Sequence, residues 1–124
     1  EGDKLSRQEV EGNLTQFLVA GSDTTSNALA FAFHHLSLQP ELQRQVATEV
    51  AEKAPGGVQS QDQLASLKLV KAVWMETLRL HSPAPFLGLS TAVPTEIAGR
   101  TVAAGVNIFV LTRYIQNHAP EAKV

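Results

Sequence analysis

The strongest constraint on the fold is an apolar stripe of helical period that extends through the first third of the chain. Its members recur at alternating steps of four and three residues: Val10, Leu14, Phe17, Gly21, Thr24, Ala28, Phe31, His35 and Leu38. Such a period predicts one continuous helix. Ser6 and Glu9 have the spacing of a capping box, so the helix should begin near Arg7. It should run for about 30 residues, on the order of 45 Å.

The middle of this predicted helix is apolar on almost every side. From Leu18 to Phe33 few positions are left for a solvated face, which is typical of a helix buried in a large protein. The apolar stretch is long enough to cross a bilayer, but residues 22–27 are all polar. Asp23 alone would cost about 3 kcal/mol at a bilayer centre. We therefore expect no transmembrane segment in this chain, and a parent protein that is cytoplasmic or anchored through a segment not present here.

Composition excludes several classes of function. With 124 residues, 44% hydrophobic and 18% charged, the chain has the character of a globular domain. A net charge of −2 without any run of Lys or Arg argues against nucleic-acid binding. The absence of cysteine excludes a thiolate ligand within these residues, and the four histidines lack metal-ligand spacing. The ends, at Glu1 and Val124, read as truncated on both sides.

The second third of the chain predicts three more helices. Pro40 suits the first position of a helix, which residues 54–57, Ala-Pro-Gly-Gly, should end. Ser60 and Gln63 form a second capping box and predict a short helix that ends near Leu67. A third long helix should follow.

That third helix should extend from Lys68 to Leu80, because the prolines beyond it prevent continuation. The period then becomes alternating, which indicates strands. A tight hairpin is predicted around Ala98-Gly99, with a further strand over Val106–Leu111. The predicted fold is mainly α with a small β-sheet at the end.

The segment Ala20-Gly21-Ser22-Asp23-Thr24-Thr25 is unusual inside an apolar helix. Asp and Thr compete with the backbone for hydrogen bonds, and a Thr bonded back to the carbonyl four residues earlier can open a helix locally, often at a functional site. Gly21 has no side chain, so a large flat group could approach the backbone there. The alternative is a plain helix break, with Gly21 as a C-terminal cap and Asp23 as an N-cap. The unbroken phase of the stripe argues against the break.

Glu76 and Arg79 are three residues apart on the third long helix, which places them on one face. A surface ion pair of this kind contributes only about 0.2–0.5 kcal/mol. The apolar residues around them favour a buried pair instead, in which every charge must be hydrogen-bonded.

Together these motifs resemble the cytochrome P-450 family. The resemblance rests on Ala20-Gly21-x-Asp23-Thr24-Thr25 in a long helix, followed by Glu76-x-x-Arg79 in a later one, with a Pro-led helix and a Pro-Gly linker between them. The hairpin and the last strand continue the same order. The resemblance covers essentially the whole chain, and it implies one partial domain over residues 1–124 of a haem-dependent monooxygenase fold.

The resemblance also implies roles for individual residues. Ala20 and Gly21 would form the groove for dioxygen on the distal face of the haem (heme b), with Thr24 as a further contact. Asp23 and Thr24 would be the catalytic acid–alcohol pair that delivers protons. Glu76 and Arg79 would form a structural ion pair, tying their helix to a later loop. Phe17, Phe86 and Leu87 would face the substrate.

The implied reaction inserts one oxygen atom from O₂ into a small organic substrate, with electrons from NAD(P)H through a reductase or a ferredoxin. The iron ligand would be a cysteine outside this chain. Two departures accompany the match: no basic residue lies in Phe86–Ala92 to pair a haem propionate, and residues 103–105 are Ala-Ala-Gly where Pro-x-Gly is usual. The rival interpretation is a small helical interaction module without catalytic activity, in which Asp23 and Thr24 would tolerate replacement.

Overall fold

The computed structural model describes residues 4–118, which divide into two compact units, one ending at Leu78 and the other beginning at Arg79. The first unit is helical. Its elements are α1 (Arg7–Ser37), α2 (Pro40–Lys53), α3 (Gln61–Ser66) and α4 (Lys68–Leu80), the last of which ends just past the boundary. The second unit holds β1 (Leu87–Ser90), β2 (Thr95–Ile97), β3 (Arg100–Val102), β4 (Asn107–Val110) and α5 (Thr112–His118). The predicted class, mainly α with a small amount of antiparallel sheet, is confirmed.

Helix α1 begins where its capping box predicts. The backbone N–H of Glu9 donates to Ser6 Oγ at 3.3 Å, and the N–H of Ser6 donates to Glu9 Oε2 at 2.7 Å. The Ser6 hydroxyl also donates to Glu9 Oε2, at 2.7 Å, and this bond, together with the one from the Ser6 N–H, lowers the pKa of Glu9. The helix is α-helical over all 31 residues, so the alternative of a helix break at Gly21 is wrong. The continuous apolar stripe predicted the helix correctly, because the polar side chains of residues 22–27 do not interrupt its backbone hydrogen bonds.

Most of helix α1 is exposed in this chain. Only Ala28 and Ala32 are buried, at 2% and 7% exposure. Large side chains in the same helix are open to solvent, with Phe17 at 71% and Leu18 at 74%. The sequence pattern is typical of a helix buried in a large protein, and the elements present in this chain cover only a narrow strip of α1. Among residues 4–118, no helix combines the length and the apolarity needed to cross a membrane.

Helix α2 is joined to the start of α4 by one carboxylate. Glu49 Oε2 accepts hydrogen bonds from the backbone N–H groups of Leu69 and Val70, at 2.9 and 3.0 Å. Its other oxygen accepts from Lys53 Nζ at 2.8 Å, and the same ammonium donates to the carbonyl oxygen of Ser66 at 2.9 Å. The Glu49 side chain is only 10% exposed. We call this group, from Glu49 and Lys53 to the α4 N-terminus, the α2–α4 clasp.

The bond from Lys53 is the main reason why the pKa of Glu49 is lowered to about 2; partial burial opposes it, and the two backbone donors add to it. A carboxylate at a helix N-terminus is favoured in its charged form because free N–H groups and the helix dipole both face it. The clasp therefore fixes where α4 begins.

The short helix α3 follows its predicted cap with one shift. Ser60 Oγ accepts from the N–H of Gln63 at 3.2 Å, as the capping box requires. The return bond from the Gln63 side chain goes to the N–H of Gln59, at 2.8 Å, one residue earlier than expected. The helix ends before Leu67, which is buried at 4% exposure.

The second unit contains two separate two-stranded antiparallel sheets. Strands β2 and β3 form the predicted hairpin, and both turn residues, Ala98 and Gly99, have positive φ (50° and 74°), which matches the right-handed twist of a hairpin. Strand β4 confirms the predicted third strand but pairs with β1, which the sequence pattern missed, so that Gly88 lies opposite Phe109.

Thr91, the residue that follows β1, is hydrogen-bonded to the turn before β4. Its hydroxyl donates to the carbonyl oxygen of Ala103 at 2.7 Å and accepts from the N–H of Val106 at 3.0 Å. Its backbone carbonyl accepts from the N–H of Gly105 at 2.7 Å, and Gly105 has a φ of 80°. The Ala-Ala-Gly turn is thus held by Thr91, without the proline that the resemblance leads one to expect there.

Candidate functional site

One face of α1 consists of small residues beside a large aromatic. Phe17, Ala20, Gly21 and Thr24 fall at i, i+3, i+4 and i+7, which places them on one side of the helix. All four are exposed. A Cβ built on Gly21 would meet no atom within 4 Å. The backbone of α1 is therefore open to close approach by a flat ligand at this point.

The Thr24 hydroxyl is fixed by its own helix. Thr24 Oγ1 donates to the carbonyl oxygen of Ala20 at 2.7 Å. The sequence expectation of this bond is confirmed, but the local opening it was expected to cause is absent, since the helix stays α-helical through residue 24. Ser26 shows the same behaviour, donating to the carbonyl oxygen of Ser22 at 2.7 Å. Each hydroxyl donates a second hydrogen bond to a carbonyl oxygen that lies within the continuous helix. The backbone remains α-helical.

Asp23 lies next to this face, not on it. Successive residues of a helix point about 100° apart, so the Asp23 side chain leaves the helix on a different side from Thr24. Asp23 is exposed. The Asp23 carboxylate is therefore open to solvent on the side of α1 next to the face that carries Gly21 and Thr24.

The α1 face fits a haem group in its shape and chemistry. A porphyrin is flat and mostly apolar, and it needs a surface without protruding side chains. Gly21 has free space above its Cα, Ala20 adds a single methyl group, and Phe17 supplies an apolar edge that is 71% exposed. The residues that would contact the cofactor here are Ala20, Gly21 and Thr24.

Helix α4 carries Glu76 and Arg79, separated by almost one turn. Glu76 is exposed and Arg79 is half-buried, so the two side chains are less buried in this chain than their apolar surroundings predicted. Between them Thr77 is buried at 2% exposure, and its hydroxyl donates to the carbonyl oxygen of Val73 at 2.8 Å.

In the second unit, the Arg79 guanidinium binds the end of helix α5. Its Nη1 donates to the carbonyl oxygen of Gln116 at 3.1 Å and to Asn117 Oδ1 at 3.2 Å. A cation is favoured at a helix C-terminus, where carbonyls lack partners. The sequence reasoning expected Arg79 to hold a later loop, and it missed both α5 and Asn117. The available signal was weak: eight residues without Gly or Pro lie between the predicted strand, which ends at Leu111, and Pro120.

Phe86 and Leu87, both expected to line the substrate site, lie on opposite faces of the β1–β4 sheet. The Phe86 ring meets the ring of Phe109 edge-on, with centroids 5.8 Å apart. The ring of Phe109 also lies 3.6 Å from the position that a Cβ on Gly88 would take, so Phe86 and Gly88 share a face. Leu87, opposite Val110 in the register, points to the other face because side chains alternate along a strand.

Comparison with known proteins gives the family. A sequence model of the family described as Cytochrome P450 matches residues 1–121. The chain belongs to the cytochrome P450 family. A crystal structure of a cytochrome P450 superposes with a TM-score of 0.86 at 34% identity, covering 99% of this chain and 30% of that one. A zebrafish cytochrome P450 with progesterone has a TM-score of 0.81 at 22% identity, covers 100% of this chain and 31% of that one, and shares the fold.

Two of the curated relatives of this P450 chain are named a monooxygenase and a hydroxylase. It is 39% identical over 120 residues to cyclooctat-9-en-7-ol 5-monooxygenase of Streptomyces melanosporofaciens, covering 97% of this chain and 26% of that protein. It is 40% identical over 118 residues to mouse mitochondrial sterol 26-hydroxylase, covering 94% and 22%.

A third relative is named a bifunctional cytochrome P450/NADPH–P450 reductase, from Fusarium oxysporum; it is 38% identical over 99 residues, covering 80% of this chain and 9% of that protein. The chain thus spans about a quarter of the length of the first two P450 relatives.

Proposed function

We propose that this chain is the central segment of a haem-dependent monooxygenase that inserts one oxygen atom from O₂ into a small organic substrate. The second oxygen atom leaves as water, and two electrons and two protons are consumed. The observation that carries the proposal is the open face at Ala20 and Gly21 with the fixed hydroxyl of Thr24 beside it, on a continuous helix. When bound, haem supplies the binding and reductive activation of dioxygen.

Thr24 would hold a hydrogen-bond donor in the groove. Its own proton is directed to the carbonyl oxygen of Ala20, so the lone pairs of Oγ1 face outward and accept from a water or from a protonated oxygen. Asp23, exposed on the neighbouring side of α1, would bring protons from solvent to that water. The pair would thereby separate proton uptake from proton delivery.

The remaining roles concern position and selectivity. Glu76 and Arg79 would be structural, with Arg79 bonded to Gln116 and Asn117 at the end of α5. Phe17 and Phe86 would contact the apolar part of the substrate, and both are more than half exposed. Leu87, on the other face of β1, would contact it only if the substrate reached that side.

The electron source is proposed to be NAD(P)H, through a reductase or a ferredoxin. The support is that one relative's name joins a cytochrome P450 to an NADPH–P450 reductase. For the substrate class we propose an apolar organic compound. The names of two relatives give their substrates as a sterol and as cyclooctat-9-en-7-ol, and the proposed contacts Phe17 and Phe86 are apolar.

The coding sequence beyond Val124 provides the first test. We expect a cysteine in a Phe-x-x-Gly-x-x-x-Cys-type segment within about a hundred residues, because a thiolate is the iron ligand that this chemistry requires. The full-length protein, meaning this segment in its native coding context, should then show the carbon monoxide difference spectrum of thiolate-ligated haem. A complete reading frame without that cysteine would overturn the proposal.

A further inference from the structure

Phe86, which is expected to face the substrate, contacts Phe109, for which no role has been assigned. Phe86 precedes β1, and Phe109 lies in β4. Their rings meet edge-on, at an interplanar angle of 72° and a centroid distance of 5.8 Å. An edge-to-face pair of this kind is worth about 0.5–1.5 kcal/mol beyond the area it buries. The orientation of the Phe86 ring therefore depends on Phe109.

Gly88 provides the space for this contact. In the β1–β4 register Gly88 lies opposite Phe109, and the Phe109 ring atoms Cε1 and Cδ1 lie 3.6 and 3.9 Å from the position of an added Cβ. A single methyl group would be in ordinary van der Waals contact with the ring. A branched side chain at residue 88 would need space that the Phe109 ring occupies, and would move that ring relative to Phe86.

Both rings still present most of their surface. Phe86 is 53% exposed and Phe109 is 62% exposed, so the pair is a two-ring surface and not a filled core. At the other end of the same face, Ser90 Oγ donates to Asn107 Oδ1 at 2.6 Å, which fixes the strand register beside the aromatic pair. A ligand that contacts Phe86 would meet a ring held at one angle by Phe109.

We infer that Phe109 is a specificity-determining residue that acts through Phe86, with Gly88 as the position that permits the contact. The inference rests on the proposed function, because it needs Phe86 to contact the substrate. On this inference, Phe109 favours ligands that carry a phenyl ring over smaller ligands that lack one. Phe109 is a positioning residue, since it works by holding Phe86.

The test uses the full-length haem protein and two probes, imidazole and phenylimidazole, whose binding is measured by optical titration of the haem. The readout is the ratio of the two Kd values, which a general loss of stability would not change. Phe86→Leu and Phe109→Leu should each reduce the preference for phenylimidazole by roughly three- to tenfold, as expected for one aromatic contact. The double variant should show no further loss, because both changes remove the same contact.

Three further variants complete the design. Phe109→Tyr keeps the ring and should keep the preference for phenylimidazole. Gly88→Val should reduce that preference, as Phe109→Leu does. Leu89→Val, on the opposite face of β1, is the matched control and should leave the ratio unchanged. An unchanged ratio in both Phe109→Leu and Gly88→Val, or additive losses in the double variant, would overturn the inference. A wild-type protein without the thiolate carbon monoxide spectrum would instead overturn the proposed function, and the inference with it.

Discussion

The hydroxyl of Thr24 donates a 2.7 Å hydrogen bond to the carbonyl oxygen of Ala20, which determines what Thr24 can offer to a ligand. A hydroxyl has one proton and two acceptor lone pairs. With the proton held by the helix, Thr24 offers acceptor lone pairs to a ligand. Under the proposed function, a proton bound for dioxygen would therefore come through a water that Thr24 positions.

Replacing Thr24 should uncouple electron consumption from product formation in the full-length enzyme. Thr24→Ala should leave substrate affinity nearly intact, while the product formed per NAD(P)H consumed falls by about tenfold or more, because proton delivery typically contributes about 10²–10⁴ to a rate. Thr24→Ser keeps the hydroxyl and should restore most of the ratio. Thr15→Ala is a matched control, since Thr15 makes the same kind of bond to the carbonyl of Glu11, at 2.9 Å. An unchanged ratio in Thr24→Ala would remove Thr24 from the mechanism.

The α2–α4 clasp should make stability depend on pH in the acidic range. The pKa of Glu49 is lowered from its ordinary 4.5 to about 2, so the unfolded state binds more protons between these values. The stabilisation from Glu49 is complete above about pH 4.5 and is lost as the pH falls through about 2. Glu49→Gln should lower Tm at pH 7 and flatten the Tm profile below pH 5.

The control for the clasp is Glu52→Gln, one turn further along α2, which removes the same charge without touching α4. Both variants would be compared by thermal unfolding of the full-length protein from pH 7 to pH 3. Equal effects of the two substitutions would show that Glu49 contributes only through net charge.

Asn117 should contribute to stability through Arg79. Asn117→Ala removes the acceptor at 3.2 Å from Arg79 Nη1, and we expect a loss of about 1 kcal/mol in the free energy of unfolding, typical of one hydrogen bond. Gln116→Ala is the matched control, because Arg79 binds only the backbone carbonyl of Gln116, which that substitution retains. Chemical denaturation of the two variants should separate them; a loss of equal size in both would contradict a specific role for Asn117.

The segment alone should be loosely packed. Phe17, Leu18 and Phe33 are 71%, 74% and 67% exposed, and each such side chain forgoes roughly 1.5–3 kcal/mol of burial, against a total stability of about 5–15 kcal/mol for a domain. Amide hydrogen exchange on the purified 124-residue chain should show rapid exchange across α1. Strong protection of residues 14–38 in a monomer would favour the independent helical module over the monooxygenase segment.

Local signals predicted the helices well. The Ser6–Glu9 box fixed the start of α1, and Pro40 fixed the start of α2, because caps and prolines act within a few residues of where they stand. Strand β1 was missed because Leu87–Ser90 contains a glycine and pairs with β4, which lies far along the chain. Helix α5 was missed because it has only seven residues and lacks a strong cap.

The residue contacts that define the site were less accessible to sequence reasoning. The bond from Thr24 to Ala20 could be predicted because it joins residues one turn apart. The bonds of Arg79 to Gln116 and Asn117 could not, because nothing in the local pattern of residues 112–118 indicates what they contact. The clasp at Glu49 was missed for the same reason, since Glu49 reads as one more polar residue on the outer side of α2.

The clasp also bears on how the chain can vary in evolution. Because Glu49 and Lys53 bond directly to Ser66, Leu69 and Val70, the start of α4 does not depend on the number of residues in 55–59. A doubling of loop length costs only about 0.6 kcal/mol in closure entropy. Insertions and deletions among related genes should therefore accumulate in that linker, while the spacing within α4 stays constant.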